Sequence, residues 1–403
     1  MVDPVNMLYL GAGESNDILQ RPQQLARRLA RFYRLIYVEP VGLRSIRLSD
    51  FWRLGLRLKS VFHRKNAVGA MGFETVSFLY IPLSAPKMLC NVNERMLLFQ
   101  ARRRLPFLRS RDYVLWIGSP NHLARALLRE NRPLVSVYDC MDDLGAIHKD
   151  DDAKRIVEAE QEVVDSVDII FASSERLHER MARRNPNTHL IQNAVDLAWF
   201  NLTNESDSFP TPPFPSDRPV VGYYGTLGHW VDFELIDYVA RLQPDWSIVL
   251  VGPAKVPKGA MPRRKNVFWI GPQPHERLAQ YARKFNAAML PFLVNDLTAS
   301  VDPVKLYEYL ALGKSVVSTD LPEVRKFRSL VRVAKDYDDF LTCLKEEVIR
   351  PYDPTMARRR FEFVQEHSWD RRVEEIMRVL DSSKRRSDNQ ECHASGRNGL
   401  SSP

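Results

Sequence analysis

Cysteine is scarce in this sequence. The four cysteines stand far apart and none belongs to a CxxC pair; they are Cys90, Cys140, Cys343 and Cys392. This spacing argues against a disulfide framework and against a zinc site built from cysteines. It is typical of a protein from a reducing compartment.

Long apolar segments are also missing. No stretch approaches the roughly 20 consecutive apolar residues that a membrane-spanning helix needs. The N-terminus does not show the charged and then apolar pattern of a secretory signal. We therefore expect a soluble protein that stays in the cytoplasm.

What the sequence has in quantity is positive charge. Its 403 residues carry a formal net charge of +8, with 44% hydrophobic and 27% charged residues. The length is enough for two domains, and the composition is that of a globular protein. A basic chain favours anionic partners such as membranes, nucleic acids or phosphorylated substrates, and charge alone does not distinguish among them.

Short apolar runs alternate with helical patterns along two stretches of the chain, which predicts a parallel α/β architecture. In the first stretch the predicted strands are Met7–Gly13, Arg34–Val38, Tyr113–Gly118, Leu134–Tyr138, Asp168–Ser173 and Thr188–Gln192. In the second stretch the predicted strands are Val220–Leu227, Trp246–Gly252, Ala287–Phe292 and Ser315–Thr319, with helices over His275–Lys284 and Val304–Gly313.

These patterns divide the chain into two α/β domains, residues 1–200 and 220–350. The segment between them, 201–219, is rich in Pro, Ser, Asp and Asn. It has no apolar periodicity and contains several prolines that break regular structure, so we predict that it is a linker.

The C-terminal part of the chain differs from both domains. A long helical pattern, interrupted near Ser368, occupies residues 351–383. The residues after it, 384–403, are polar and show no periodicity, and we expect them to be a disordered tail.

Several motifs occur in order and at compatible spacings. They are Asn193-Ala194-Val195-Asp196, Gly222-Tyr223-Tyr224-Gly225-Thr226-Leu227, Asn266–Pro272, the block Asp302–Val317 and Ser368-Trp369. Together they resemble the GT-B-fold glycosyltransferases, and among these the retaining family 4. Two further motifs, Arg21-Pro22-Gln23-Gln24 and Tyr37-Val38-Glu39-Pro40, are similar to a subgroup associated with bacterial surface-polysaccharide assembly.

The resemblance covers nearly the whole chain apart from the tail. It implies two Rossmann-like domains that face each other across a cleft. The N-terminal domain would bind the acceptor and the C-terminal domain the donor, and a C-terminal helix would cross back to the first domain.

A nucleotide sugar presents a diphosphate and a ribose diol, and the block that begins at Asp302 supplies groups for both. Pro303 opens a helix, so the next backbone N–H groups point outward and can meet phosphate together with Lys305. Glu308 follows one turn after Lys305. In the resembled family the corresponding glutamate binds ribose, although an ordinary Lys–Glu surface pair is the alternative.

Two glycine-containing turns are further candidates for donor binding. Gly225 and Thr226 end a strand, where a backbone without side chains can approach phosphate closely. Gly11 and Gly13 follow the first strand, but they lack the third glycine of a dinucleotide fingerprint. In the resembled fold this second loop lies across the cleft from the donor phosphates. Turn geometry alone is the other explanation of these glycines.

The catalytic carboxylates are less clearly marked. The family usually has a second glutamate eight residues before Glu308, and this chain has Ser300 there, so Asp302 is the candidate replacement. Asp139 follows a predicted strand and is the candidate for binding acceptor hydroxyls or assisting proton transfer, as is Asp142. An acidic cluster that complements a helix N-terminus is the open alternative.

A basic segment, Leu43–Lys65, is the strongest charge feature of the N-terminal half. On a helical wheel its apolar side chains share one face, and Arg53, Arg57 and Arg64 share another. With Trp52 beside them, this pattern is typical of a helix that docks on an anionic membrane surface. A core-packed helix with a solvated basic face is the alternative.

The sequence thus predicts an enzyme that moves a sugar from a nucleotide-sugar donor to a glycan or lipid-linked acceptor in cell-surface polysaccharide synthesis. The resemblance implies retention of the anomeric configuration. We expect no cofactor and no nucleic-acid partner, and no metal because no acidic pair or DxD motif stands in a metal-like context. A sugar-nucleotide epimerase of the same fold and a non-catalytic basic membrane- or nucleic-acid-binding protein are the alternatives.

Overall fold

The computed structural model of the protein describes residues 4–15, 19–41, 72–80, 87–130, 133–147, 151–202 and 212–397. The chain divides into two compact units, one formed by Met1–Ile191 with Val373–Pro403 and the other by Gln192–Arg372. The predicted docking segment, with its residues Trp52, Arg53, Arg57 and Arg64, lies outside the described residues. Linker residues 203–211 lie outside them as well.

A parallel sheet forms the centre of the first unit. Its strands are β1 (Asn6–Leu10), β2 (Arg34–Val38), β3 (Glu74–Val76), β4 (Tyr113–Ile117), β5 (Val135–Cys140), β6 (Ile169–Ala172) and β7 (Thr188–Leu190). The helices are α1 (Arg21–Leu29), α2 (Lys87–Arg104), α3 (His122–Glu130), α4 (Leu144–Ile147), α5 (Asp151–Ser166) and α6 (Glu175–Ala182). The strand order is β3-β2-β1-β4-β5-β6-β7. The order reverses between β1 and β4, which creates a topological switch point at their carboxyl ends.

A row of aromatic rings crosses this first sheet. Tyr9 of β1 is in register with Tyr37 of β2 and with Trp116 of β4. Its ring stacks on both, at centroid distances of 5.3 and 5.5 Å. Trp116 stacks in turn on Phe171 of β6. Strands that are buried on both faces are continuous apolar runs, and this is why the sequence pattern locates them.

The second unit repeats the arrangement with six strands. They are β8 (Val220–Tyr224), β9 (Ser247–Val251), β10 (Val267–Gly271), β11 (Ala287–Leu290), β12 (Val316–Thr319) and β13 (Arg332–Ala334). The helices are α7 (Phe233–Leu242), α8 (His275–Arg283), α9 (Val304–Ala311), α10 (Pro322–Arg325), α11 (Tyr337–Ile349) and α12 (Pro354–Gln365). The parallel order is β10-β9-β8-β11-β12-β13, with the switch point between β8 and β11. The two doubly wound sheets confirm the predicted α/β fold class.

Helix α9 ends where the glycine pattern predicts. Gly313 has a φ of +67°, a conformation that favours glycine. The backbone N–H of Lys314 donates to the carbonyl of Tyr309 at 3.0 Å, and the N–H of Gly313 donates to the carbonyl of Leu310 at 2.9 Å. These two bonds satisfy carbonyls of the last turn that would otherwise lack partners.

Residues just after Ile191 pack with the second unit, although the composition predicts a domain boundary at residue 200. Val195 and Phe200 are fully buried in the core of the second unit. Val195 also pairs with the chain before the last helix, because its N–H donates to the carbonyl of His367 and its carbonyl accepts from the N–H of Trp369. The apolar anchors therefore set the boundary earlier than the change in composition does.

The last helix, α13 (Trp369–Arg397), begins in the second unit and ends in the first. It continues through residues 384–397, where the composition predicts disorder. Extending an existing helix adds a hydrogen bond for each residue fixed and needs no new nucleus, so the helix can run on into a polar segment. No helix in the described ranges is long and apolar enough to cross a membrane.

Candidate functional site

Three glycines form a step along the carboxyl ends of β8, β9 and β10. Gly225, Gly252 and Gly271 have φ values of +132°, +141° and +76°. Their backbones are linked, because the N–H of Gly252 donates to the carbonyl of Gly271 at 2.8 Å. A Cβ atom at Gly252 would lie 2.1 Å from the carbonyl oxygen of Gly225. Only glycine fits there, and this glycine step offers main chain to a ligand at close range.

Lys305 lies against the first glycine of this step. It is in the first turn of α9, and a Cβ atom at Gly225 would lie 1.8 Å from its Cε. Its Nζ is 5.9 Å from the centre of the Tyr223 ring. Nζ has no hydrogen bond or ion pair with any described residue. Burial lowers the pKa of Lys305, and the nearby carboxylate of Glu308 opposes this shift. An ammonium group held in this way is suited to an anionic ligand.

Glu308 is buried one turn further along α9, with 6% of its surface exposed. Its Oε2 accepts a hydrogen bond from the hydroxyl of Tyr224 at 2.8 Å. Burial raises the pKa of the Glu308 carboxyl, against the favourable charges of His275 and Lys305. The other oxygen, Oε1, has no hydrogen-bond partner in the described part of the chain and can accept a bond from a ligand.

An aromatic wall stands beside this carboxylate. Phe200 stacks on Tyr224 with ring centres 6.2 Å apart and meets the imidazole of His275 edge to face at 5.3 Å. His275 is the first residue of α8. Together, Glu308, Tyr224, Phe200 and His275 bring an acid, a hydroxyl and an imidazole to one apolar surface.

Known proteins share this architecture. No family model matches the chain. TuaH of Bacillus subtilis, a protein named as a putative teichuronic acid biosynthesis glycosyltransferase, is 26% identical over an alignment of 269 residues that covers 62% of this chain and 67% of TuaH. Sucrose-phosphate synthase from Thermosynechococcus elongatus is 13% identical with a TM-score of 0.64, over 94% of this chain and 98% of that one. Anabaena HepE in complex with UDP-glucose is 15% identical with a TM-score of 0.62, over 94% and 100% of the two chains.

This chain is a GT-B-fold glycosyltransferase. The fold comes from the solved structures, and the enzyme class agrees with TuaH and with the sequence motifs. A non-catalytic basic protein is therefore not the right description. The predicted donor residues of the C-terminal half all belong to the second unit of the glycosyltransferase; they are Gly225, Thr226, Pro303, Lys305 and Glu308. Gly225 is part of the glycine step, Lys305 lies against it, and Glu308 bonds the hydroxyl of Tyr224, the residue before Gly225.

Asp302, the predicted catalytic replacement for the family's second glutamate, is bonded inside the second unit. Its Oδ2 accepts from the backbone N–H of Asn193 at 2.7 Å, and the hydroxyl of Tyr307 donates to Oδ1 at 3.0 Å. Burial raises the pKa of Asp302 to about 7, although both hydrogen bonds favour the charged form. This geometry indicates a residue that positions the segment after Ile191. Ser300, at the family's second glutamate position, is buried, and its Oγ has no partner among the described residues.

Gly11 and Gly13 lie in the first unit, at the carboxyl end of β1. A Cβ atom at Gly11 would lie 2.3 Å from Cζ of Tyr37. The hydroxyl of Tyr37 donates to the carbonyl of Gly13 at 2.6 Å. The tyrosine thus occupies the space beside this loop, so close packing accounts for Gly11 within its own unit. A role of this loop in donor binding stays a prediction.

Asp139 also has an internal partner. Its carboxylate is fully buried and pairs with the guanidinium of Arg21, at 2.8 Å from Nη2 and 2.9 Å from Nε. Burial raises the pKa of Asp139, and the charge of Arg21 opposes the shift. Arg21 also donates to the carbonyl of Ile191 at 2.7 Å. A carboxylate enclosed in this way is poorly placed to take a proton from an acceptor, whereas Asp142 in the same loop is exposed.

Three residues of the site, namely Gly252, Gly271 and His275, are not among those predicted from the sequence. The two glycines each end an apolar run, which is a usable signal, because a glycine after a strand often marks a close backbone approach. His275 gives no comparable local signal. In the described ranges no group of three or more His, Cys, Asp and Glu side chains is arranged to hold a metal ion, and the metal independence of the reaction stays a prediction.

Proposed function

We propose that the glycosyltransferase transfers a sugar from a nucleoside-diphosphate sugar to a glycan or lipid-linked acceptor during cell-surface polysaccharide synthesis. The observation that carries the proposal is the pair Lys305 and Glu308, one cationic and one acidic, presented one helical turn apart beside the glycine step. HepE has been solved with UDP-glucose, and TuaH is named for the synthesis of teichuronic acid. Both support this substrate class.

Each group has a role that follows from its chemistry. The ammonium of Lys305 and the backbone N–H groups of the helix start would bind the diphosphate, and the charge of Lys305 would stabilise it as it leaves. Glu308 would accept hydrogen bonds from ribose through Oε1, with Tyr224 holding its other oxygen. Asp142 replaces Asp139 as our candidate for contact with acceptor hydroxyls.

We propose that transfer proceeds with retention of the anomeric configuration. The acceptor hydroxyl would attack from the face that the diphosphate leaves, and a diphosphate oxygen would take the hydroxyl proton. The proposal rests on the likeness to retaining enzymes. Nuclear magnetic resonance of the freshly formed product tests it, because an inverted anomeric centre would contradict it.

The function is tested with a screen of UDP-, GDP- and ADP-sugars against wild type, Lys305→Ala and Glu308→Gln. We expect kcat/KM to fall about 10²- to 10³-fold for Lys305→Ala, since a charge that stabilises the leaving group is lost. Loss of a hydrogen bond to a charged group predicts a fall of roughly 10- to 100-fold for Glu308→Gln. Lys284→Ala and Glu276→Gln change exposed residues of the same unit and should leave turnover unaffected.

Two results would redirect the proposal. Equal turnover by Lys305→Ala, Glu308→Gln and wild type would remove this site from consideration. An epimer of the free nucleotide sugar, formed without acceptor, would favour the epimerase.

We further propose that residues 43–65 bring the enzyme to the inner face of the cell membrane. The support is the pattern of Trp52, Arg53, Arg57 and Arg64 in the sequence. Co-sedimentation with vesicles tests it, and binding that does not prefer anionic over neutral lipid would contradict it.

A further inference from the structure

The half-buried side chain of His275 has two enclosed nitrogens without a polar partner. Nδ1 and Nε2 are both buried, and neither has a hydrogen bond within the described part of the protein. A neutral imidazole has one donor and one acceptor. Two buried ring nitrogens without hydrogen bonds cost free energy, and native structures rarely contain such groups without a reason.

The neighbours of this imidazole belong to the donor site. Phe200 packs against its edge at 5.3 Å, and the Tyr224 ring continues the same wall. The hydroxyl of Tyr224 donates to Oε2 of Glu308 at 2.8 Å. The imidazole therefore lies near the carboxylate of the site that has an oxygen to offer.

We propose that His275 is a nucleoside-binding residue that hydrogen-bonds one ribose hydroxyl of the donor while Glu308 accepts from the other. The proposal rests on the function proposed above and adds to it a residue that contacts the nucleoside.

Lys305 and Glu308 lie at different positions along α9, and this separation supports ribose as the group that binds beside Glu308. Lys305 lies at the start of α9, over the glycine step, where a diphosphate is matched by cation and backbone. Glu308 lies one turn further along, beside the apolar wall of Phe200 and Tyr224. A vicinal diol can donate to the carboxylate with one hydroxyl and bond the imidazole with its neighbour. Oε1 of Glu308 and one of the two imidazole nitrogens then gain their hydrogen-bond partners together.

Packing alone is the competing explanation, and the variants are chosen to separate the two. His275→Phe keeps an aromatic ring against Phe200 and removes both nitrogens. His275→Gln restores a donor and an acceptor on a flexible side chain. His178→Phe is the control, because His178 lies in the first unit and its Nε2 is already bonded to the carbonyl of Thr188.

The experiment is calorimetric titration of the full chain with UDP, GDP and ADP. The diphosphate that binds most tightly is then compared with its 2′-deoxy and 3′-deoxy analogues. We expect His275→Phe to weaken binding about tenfold, as for the loss of one hydrogen bond in a desolvated site. We also expect wild type to lose affinity for one of the two analogues and His275→Phe to lose markedly less. His275→Gln should recover part of the affinity, and His178→Phe should bind like wild type.

The outcomes separate this inference from the proposed function. If His275→Phe binds the ribonucleotide as wild type does, or if the deoxy analogues are penalised equally in both proteins, the inference is wrong and the proposed function stands. If wild type binds none of the three diphosphates, both fall. Thermal unfolding of each variant verifies that it is folded, and weak binding without a change in the deoxy penalty indicates packing alone.

Discussion

The two sheets of the glycosyltransferase carry similar loops at their carboxyl ends, and the loops differ in whether their charged side chains have an ion-pair partner. In the first unit the space beside Gly11 is filled by Tyr37, and the charge of Arg21 is neutralised by Asp139. In the second unit Lys305 lies over the glycine step and has no anionic partner within ion-pair distance in the described residues. A doubly wound sheet thus places glycines and charges at its carboxyl edge in both cases. The difference in pairing is what points to a ligand.

The largest effect should come from breaking the buried ion pair of the first unit. Asp139→Ala leaves the guanidinium of Arg21 buried without its carboxylate, and removal of one partner from a buried ion pair destabilises by about 3–5 kcal/mol. We expect the urea midpoint of the first unit to fall sharply while the folded variant keeps its nucleotide affinity.

Asp142→Ala is the matched control for that variant, because it removes an exposed carboxylate of the same loop and should change stability by less than about 0.5 kcal/mol. A large loss of nucleotide affinity in folded Asp139→Ala would show that the ion pair of the first unit also supports nucleotide binding, and it would contradict the comparison.

A smaller effect, on nucleotide binding, should come from a substitution in the glycine step of the second unit. Gly225→Ala forces a side chain into a φ of +132° and against Cε of Lys305. Backbone strain of about 1–3 kcal/mol, together with displacement of the ammonium, predicts a loss of nucleotide affinity of roughly 10- to 100-fold.

Titration calorimetry measures this loss, and Gly13→Ala is the control. A Cβ atom there would meet only Nε2 of Gln23, at 3.2 Å, and Gly13 does not have a positive φ. Equal effects of the two substitutions would mean that the glycine step is no more critical than the first loop.

The smallest effect should come from removing the hydrogen bond that holds the Glu308 carboxylate in place. Tyr224→Phe removes the hydroxyl that donates to Oε2 of Glu308 and leaves the ring in its stack. Loss of about 1 kcal/mol predicts a KM for the donor raised roughly fivefold with kcat nearly unchanged. Tyr238→Phe is the control, because its hydroxyl bonds the exposed Asp338. An unchanged KM would contradict a supporting role for Tyr224.

The same two units show what a sequence can and cannot reveal. The strand Arg34–Val38 can be predicted because its last four residues are buried and form an unbroken apolar run. Lys305 and Glu308 can be found because their spacing within one helix is local information. Asp302 is predicted to be catalytic because it is the carboxylate nearest to Ser300, and Asp139 because it follows a predicted strand; a sequence does not show whether such a carboxylate faces a ligand or a partner.

The partners of those two carboxylates are distant in the sequence. Asn193 is 109 residues from Asp302, and Arg21 is 118 residues from Asp139. No local pattern reports such a pairing, so these partnered carboxylates and the imidazole of His275, which has no polar partner among the described residues, can be told apart only in three dimensions.

The glycine step limits the ways in which the donor preference of this enzyme can be changed. Its surface is main chain, and each glycine is tied to its neighbour by a backbone hydrogen bond or by contact closer than a methyl group allows. Such a surface cannot be reshaped one side chain at a time. Engineering or evolution of a different donor preference must therefore act on the side chains around it, those that begin α8 and α9, while the glycines stay as they are.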